Sequence, residues 1–245
     1  MKTSNTILIT GGASGIGRAF AERFLASGDN VIVCGRREDK LLEAKRKFPQ
    51  LQTRVCDVAN ESERVSLFEW ATSEFPKLNM LVNNAGIQRR VNLLESEDWE
   101  QTRKEIAINF EAPVHLCRLF IPHLLEQENS AILNVTSGLS FVPLANVPVY
   151  CATKAALHSF TLSLRYQLSD TSIKVIEIIP PAVDTDLGGV GLHTFGVNLD
   201  EYSDAVFARL QNGENEIAYG TAEKSSHASR GELDEIFQAM NQTFR

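Results

Sequence analysis

The stretch Thr6-Ile7-Leu8-Ile9-Thr10-Gly11-Gly12-Ala13-Ser14-Gly15-Ile16-Gly17 decides the fold. Five residues too apolar for a wet face lead straight into a glycine-rich turn. The turn in turn opens a helix whose Ile16, Phe20 and Phe24 recur every four residues. A strand with no polar face belongs inside a parallel sheet, and a strand–turn–helix start begins a βαβ series. Glycines let the backbone turn sharply and let a diphosphate approach the amides of a helix N-terminus, where the dipole favours an anion. Gly11, Ser14, Gly15, Ile16 and Gly17 are therefore candidate cofactor contacts. Such a turn can equally serve only to seat a helix on a strand, and the spacing is G-x-x-x-G-x-G rather than G-x-G-x-x-G.

The same alternation continues along the chain. Strands are expected at Val31–Cys34, Thr53–Cys56, Asn79–Val82, Ala131–Thr136 and Ile173–Ile179. Helices are expected over Asp39–Phe48, through Phe68, Trp70 and Phe75 up to Pro76, and over Asp98–Gln127 with a break or bend near Pro113. Two more are expected over Val149–Leu168 and Leu199–Leu210. Gly188, Gly189, Gly191 and Gly196 suggest a mobile loop around 183–200, and the residues after 210 are polar and less legible. With no repeat, linker or composition break, the expectation is a single α/β domain over residues 1–245 with helices on both faces of a doubly wound parallel sheet.

Composition narrows the function classes. Against 24 Lys and Arg stand 31 Asp and Glu, a net charge of −7 and the wrong sign for a nucleic-acid partner. No apolar run is long enough to span a membrane. Met1–Asn5 leads directly into the first strand without the apolar region of a signal peptide. Cys34, Cys56, Cys117 and Cys151 show no CxxC spacing and read as buried thiols in a reducing compartment, so a cytoplasmic location is expected. His115, His123, His158, His193 and His227 have no ligand spacing, and no metal is expected.

At the end of the second strand, Cys34-Gly35-Arg36-Arg37 places two guanidiniums where a carboxylate would hold a free ribose hydroxyl. Guanidinium suits a 2′-phosphate, so Arg36 and Arg37 favour NADP(H), with NAD(H) possible; two solvated surface arginines are the alternative. Asp57, with Val58 beside it, either accepts from an adenine amino group or caps the helix near Glu61.

Tyr150-Cys151-Ala152-Thr153-Lys154 sets a phenol and an ammonium at i and i+4, neighbours on one helix face, with Ala152 free to pack on the other side. An unperturbed phenol titrates near 10, and lowering it by about three units takes roughly 4 kcal/mol. A cation ~4 Å away at an effective dielectric of ~20 supplies about that much. Such a pair is also common as plain structure. Ser137 ends the fifth strand, where ligands lie in open α/β sheets, and its hydroxyl can donate to a carbonyl oxygen gathering charge, or merely turn the chain. Leu139 and the run Phe141, Val142, Pro143, Leu144, Ala145 and Val147, with Leu187, Leu192, Phe195 and Tyr202, are expected to line a pocket for a hydrophobic ketone or alcohol; packing against a neighbouring subunit is the alternative.

Taken together, Thr10–Gly17, Asn83-Asn84-Ala85-Gly86, Asn109, Ser137 and Tyr150-x-x-x-Lys154 resemble the short-chain dehydrogenase/reductase family, in order and spacing, up to about Thr185. The resemblance implies a Rossmann-type sheet of about seven strands, NAD(P)-dependent carbonyl and alcohol chemistry, and a homotetramer or homodimer. It implies Tyr150 as general acid/base and Lys154 as its partner, both also meeting the nicotinamide ribose. Ser137 orients the carbonyl, and Asn109 holds a water that links Lys154 to solvent. Asn83, Ala85 and Gly86 resemble the turn that shapes the cofactor pocket. Pro180, Val183 and Thr185 fall where the nicotinamide is met, although Pro181 stands in place of the family's glycine and offers no amide hydrogen. Within the family, Asn83–Ile87, Ala112–Leu116, Cys151–Phe160 and Val175–Thr185 look like the DltE-type oxidoreductases. Two rival classes are a non-catalytic NAD(P)-sensing protein and a methyltransferase on a similar sheet; neither requires the tyrosine–lysine pair.

Overall fold

The computed structural model describes residues 4–95 and 98–242, so Met1–Thr3 of the expected start lie outside the described residues. Seven parallel strands form one sheet in the order β3-β2-β1-β4-β5-β6-β7. They are β1 (Thr6–Thr10), β2 (Asn30–Gly35), β3 (Gln52–Val55), β4 (Met80–Asn83), β5 (Ala131–Val135), β6 (Lys174–Ile179) and β7 (Glu216–Ala218). This is the expected Rossmann-type architecture. The strand order reverses between β1 and β4, and the crevice beyond their carboxyl ends is where such sheets bind ligands.

Every residue of β1 is buried, and successive side chains serve opposite layers. Ile7 and Ile9 join Val31, Val33, Phe20 and Phe24 beneath α1 (Gly15–Ala26), α2 (Glu38–Lys47) and α7 (Leu199–Gln211). Leu8 joins Ile32, Leu81, Ile132 and Val175 beneath α3 (Glu61–Glu74), α5 (Ala112–Leu125) and α6 (Pro148–Gln167), where Leu67, Phe120 and Leu164 complete the layer. Each such fully buried side chain contributes about 1.5–3 kcal/mol through loss of apolar surface to water. The periodic apolar stripes of the helices follow from this two-sided burial.

The interruption expected near Pro113 is present. The long helix comprises α4 (Trp99–Ile106), a π-helical turn over Ala107–Glu111, and α5, so the regular α-helix is interrupted just before Pro113, which lacks the amide hydrogen a regular turn would use. Two expectations change. The residues after 210 hold β7, α8 (Thr221–Ser226) and α9 (Arg230–Asn241), the last opened by a reciprocal Ser229–Glu232 capping box. Ala152 is exposed, and the inward face of α6 is instead Tyr150, Cys151, Thr153, Lys154 and Leu157. The four cysteines are free and buried. Among the described residues, no helix is long and apolar enough to cross a membrane.

Candidate active site

Two loops meet at the reversal point. Thr10 Oγ1 accepts from the amides of Asn84 and Ala85 at 3.0 Å each, and Asn84 Nδ2 donates to the carbonyls of Thr10 (2.9 Å) and Gly11 (3.3 Å). This stitching explains the glycines. A Cβ on Gly17 would lie 2.3 Å from Asn84 Nδ2, and Gly11, at φ +65°, would bring one 2.9 Å from the Ala85 Cα. Gly15 also has positive φ, yet a Cβ there would touch only Thr185, at 3.6 Å.

Ser14 precedes α1 in extended conformation and caps no amide of its first turn. Among the described residues no side chain accepts from those amides, which fits the diphosphate of a dinucleotide. The Ser14 hydroxyl accepts instead from Arg37 Nη2 at 2.9 Å, so the end of β2 and the glycine turn share a polar contact. Arg36 is exposed beside it. These residues fit a ribose phosphate.

Asp57 does not cap the helix, which is one of the two uses open to it from sequence. Asn60 caps α3 by accepting from the Ser62 amide at 3.2 Å. Asp57 Oδ1 accepts from the Ala59 amide at 3.1 Å and Oδ2 lies 3.6 Å from Lys104 Nζ. Val58 is buried, its carbonyl accepting from the fully buried Arg64. Asn83 points its side chain inward, donating to Asn134 Oδ1 at 2.9 Å, so it offers a cofactor backbone rather than side chain.

The chemical groups come from β5 and α6. Ser137, just past β5, stands beside the Tyr150 phenol and works to lower its pKa, and its Oγ accepts from the Leu139 amide at 3.1 Å. Lys154 Nζ donates to the Val135 carbonyl at 2.7 Å and lies 5.8 Å from the centre of the Tyr150 ring. Both side chains are buried, and burial decides their acidities. It raises the phenol well above its ordinary value, against the Ser137 hydrogen bond, with charges on Cys151 and Glu105 adding to the rise. Burial also pushes the ammonium down to about 8. The expected lowering of the phenol by its lysine is therefore not found: the ammonium is bonded to a backbone carbonyl, and burial outweighs the lowering by Ser137.

Asn109 sits in the π-helical turn and is buried. Its side chain accepts from the Ile87 amide at 2.9 Å and donates to the Ile87 carbonyl (2.9 Å) and to Thr153 Oγ1 (3.2 Å). It thus ties the loop after β4 to α6. A Cβ added to Gly86 would face Asn109 Oδ1 at 3.5 Å and Lys154 Nζ at 3.7 Å, so the open side of Gly86 looks onto the lysine.

Of the pocket residues, Leu139, Leu144 and Leu187 cluster with Val147, Tyr150 and Cys151. Ala145 and Leu192 are exposed and outside that cluster. Phe141 packs with Ile179, Ala218 and Ala222, and Tyr202 lies in the core against Phe20 and Tyr219. Val183 is buried and bridges Val197, closing the neck of the 183–200 loop. The Pro180 carbonyl accepts from Gly138 at 2.9 Å. Sequence reasoning missed Asn241, whose amide bonds the Ala145 amide (2.7 Å) and the Pro143 carbonyl (3.1 Å). It also missed Glu177 and His158, which bond each other at 2.9 Å; a carboxylate within the apolar run of β6 was the available signal.

The family described as short chain dehydrogenase matches residues 5–190. The uncharacterized oxidoreductase DltE of Bacillus subtilis (strain 168) is 50% identical over 98% of this chain and 97% of its own. A short chain dehydrogenase from Burkholderia cenocepacia J2315, crystallised with NADP, shares 27% identity at a TM-score of 0.82, covering 97% of this chain and 99% of that one. The 3-ketoacyl-(acyl-carrier-protein) reductase from Brucella melitensis, complexed with NADH, shares 28% at 0.78, covering 87% and 96%. With the sheet order, the glycine turn and the tyrosine–lysine pair set beside these matches, the chain belongs to the short-chain dehydrogenase family.

Proposed function

We propose that the protein is a carbonyl reductase, and in reverse an alcohol dehydrogenase, that prefers NADP(H) over NAD(H) and acts on a hydrophobic ketone or secondary alcohol. The observation that carries this reading is the Tyr150 phenol beside the Ser137 hydroxyl, with the buried Lys154 ammonium behind it and the glycine turn alongside. A nicotinamide cofactor, when bound, supplies the hydride. Gly11 and Ser14–Gly17 would hold its diphosphate, Arg36 and Arg37 its 2′-phosphate, and Asp57 and Val58 its adenine. Asn83, Ala85, Gly86, Pro180, Val183 and Thr185 would border the nicotinamide end.

As negative charge grows on the carbonyl oxygen, Ser137 donates a hydrogen bond to it and Tyr150 delivers the proton. Burial keeps the phenol protonated at neutral pH, the form that reduction requires. Lys154, held at about 8, can return a proton to the phenolate. Asn109 keeps the loop after β4 fixed on α6, where the resemblance also places a relay water. Leu139, Leu144 and Leu187 give the pocket an apolar wall, and the 183–200 loop would border it. Exposed Leu162 and Tyr166 on α6 suit a pairing face for a homo-oligomer, and four free buried thiols suit a cytoplasmic setting.

The test is NADPH consumption followed at the reduced-nicotinamide absorbance band against a panel of hydrophobic ketones. Tyr150→Phe should lose about 10²–10⁴ in turnover while still binding NADPH. Full turnover by the variant would remove Tyr150 from its role. NADPH binding with no ketone reduced would favour the non-catalytic nucleotide-sensing reading.

A further inference from the structure

Glu177 is fully buried in β6, an otherwise apolar strand apart from its exposed first residue. A buried carboxylate persists only when paired and hydrogen-bonded. Its Oε1 accepts from Thr136 Oγ1 at 2.7 Å, and its two oxygens face His158 Nδ1 at 2.9 and 3.0 Å. His158 lies on α6, one helical turn beyond Lys154. The His158 ring also meets Phe141 edge-on, with ring centres 4.7 Å apart. Thr136 and Phe141 are the two ends of the segment that carries Ser137, and a single acid–imidazole pair holds both.

The segment has little other freedom. The Thr136 and Gly138 amides donate to the Ile178 and Pro180 carbonyls, each at 2.9 Å. A Cβ on Gly138 would lie 2.9 Å from the Ala222 Cβ, so the backbone is pressed against α8. Among the described residues, three charged groups act on His158: Glu177 from β6, Glu216 from β7 and Arg165 from its own helix. The Glu177 hydrogen bond dominates and raises its pKa, with Glu216 assisting and burial and Arg165 opposing.

We propose that His158 and Glu177 are positioning residues for the reductase chemistry: their pair clamps segment 136–141 at both ends and thereby fixes the Ser137 hydroxyl against the Tyr150 phenol. This rests on the reductase reading only in the final step, the effect on turnover. When pH rises through the His158 midpoint, the pair loses its cation, Thr136 and Phe141 are held less firmly, and Ser137 loses alignment.

The experiment uses the full chain saturated with NADP+ and follows the His158 ring and the Ser137–Phe141 amides by NMR across pH. These amides should shift with the same midpoint as the ring, and Glu177→Gln should lower that midpoint. In parallel, Thr136→Val should cut kcat/KM for the best panel ketone about tenfold, as loss of one buried hydrogen bond implies, with NADPH affinity within about twofold. Thr136→Ser should restore it. The alkaline limb of the wild-type kcat/KM profile should move to lower pH in Glu177→Gln. Amides indifferent to the His158 titration, or wild-type kcat/KM in Thr136→Val, would overturn the proposal. Should the wild type reduce no ketone, the reductase reading fails, while the amide titration alone still decides for or against the clamp. Thr136→Val needs no charge removed from the core and stands in if Glu177→Gln does not fold.

Discussion

Replacing Lys154 by methionine should make the protein more stable at neutral pH and less stable in alkali. Burial pulls the ammonium from 10.5 to about 8. At about 1.4 kcal/mol for each pH unit, folding carries a penalty of about 3 kcal/mol while the lysine is charged. The sign follows from proton counts. Below about 8 both folded and unfolded chains hold the proton, and the penalty is present in full. Between 8 and 10.5 the folded chain releases its proton first, so stability rises with pH. Above that range both are neutral and the penalty is gone. Methionine removes the penalty but leaves the Val135 carbonyl without the donor it now has at 2.7 Å, a loss of about 1–3 kcal/mol. The net at pH 7 is a gain of up to about 2 kcal/mol, or a Tm higher by as much as roughly 8 °C for a chain of this size. By pH 10 the difference should change sign. Urea or thermal melts of nucleotide-free wild type and Lys154→Met between pH 7 and 10 measure it, and the comparison cancels groups common to both. A variant that is less stable at pH 7, or a difference that does not move with pH, would refute the reasoning. Such a site would sacrifice stability to keep a charge at the proposed centre of chemistry.

Gly17→Ala sets a methyl 2.3 Å from Asn84 Nδ2; it should destabilise by about 1–3 kcal/mol and abolish measurable NADPH binding by calorimetry, and wild-type affinity would disprove the role given to that turn. Arg36→Ala and Arg37→Ala should each weaken NADPH about tenfold, the worth of one charge-assisted contact, and leave NADH unchanged; equal losses for both cofactors would refute a phosphate anchor. Asn241→Ala removes two bonds to the 143–145 backbone. It should speed hydrogen exchange at the Ala145 amide while changing stability by about 1 kcal/mol or less, and unaltered exchange would show that α9 does not restrain this loop.

Where a residue's environment repeats along the chain, the sequence was readable. β1, β2, β4, β5 and β6 lie within a residue or two of their expected limits because two-sided burial leaves a continuous apolar run. β7 is three residues long, shorter than any period can register, and was implied only by the family resemblance. The π-helical form of the interruption before Pro113 is likewise silent in sequence, since its extra residue leaves the apolar pattern of α4 and α5 nearly intact. The Ser229–Glu232 box has the spacing of a helix start, but the polar residues around it carry no apolar period to mark a helix. At the site, Ser137, Tyr150 and Lys154 are legible only as members of a set of motifs that fall together in order and spacing, and they do lie together. Leu192, Ala145 and Tyr202 were placed by apolarity alone, which does not say which way a side chain faces. The acidity of Tyr150 is not legible because spacing gives distance but not desolvation, and desolvation is the larger effect here.

The bonds joining Thr10 and Gly11 to Asn84 and Ala85 make two segments distant in the chain into one mechanical part. Recombination between relatives that cuts anywhere from α1 to β4 separates the halves of that part. A chimaera inheriting Gly17 and Asn84 from different parents works only if both parents keep the same small residue under the same amide. Engineers wishing to exchange the nucleotide end of this enzyme should therefore move the turn before α1 and the turn after β4 together.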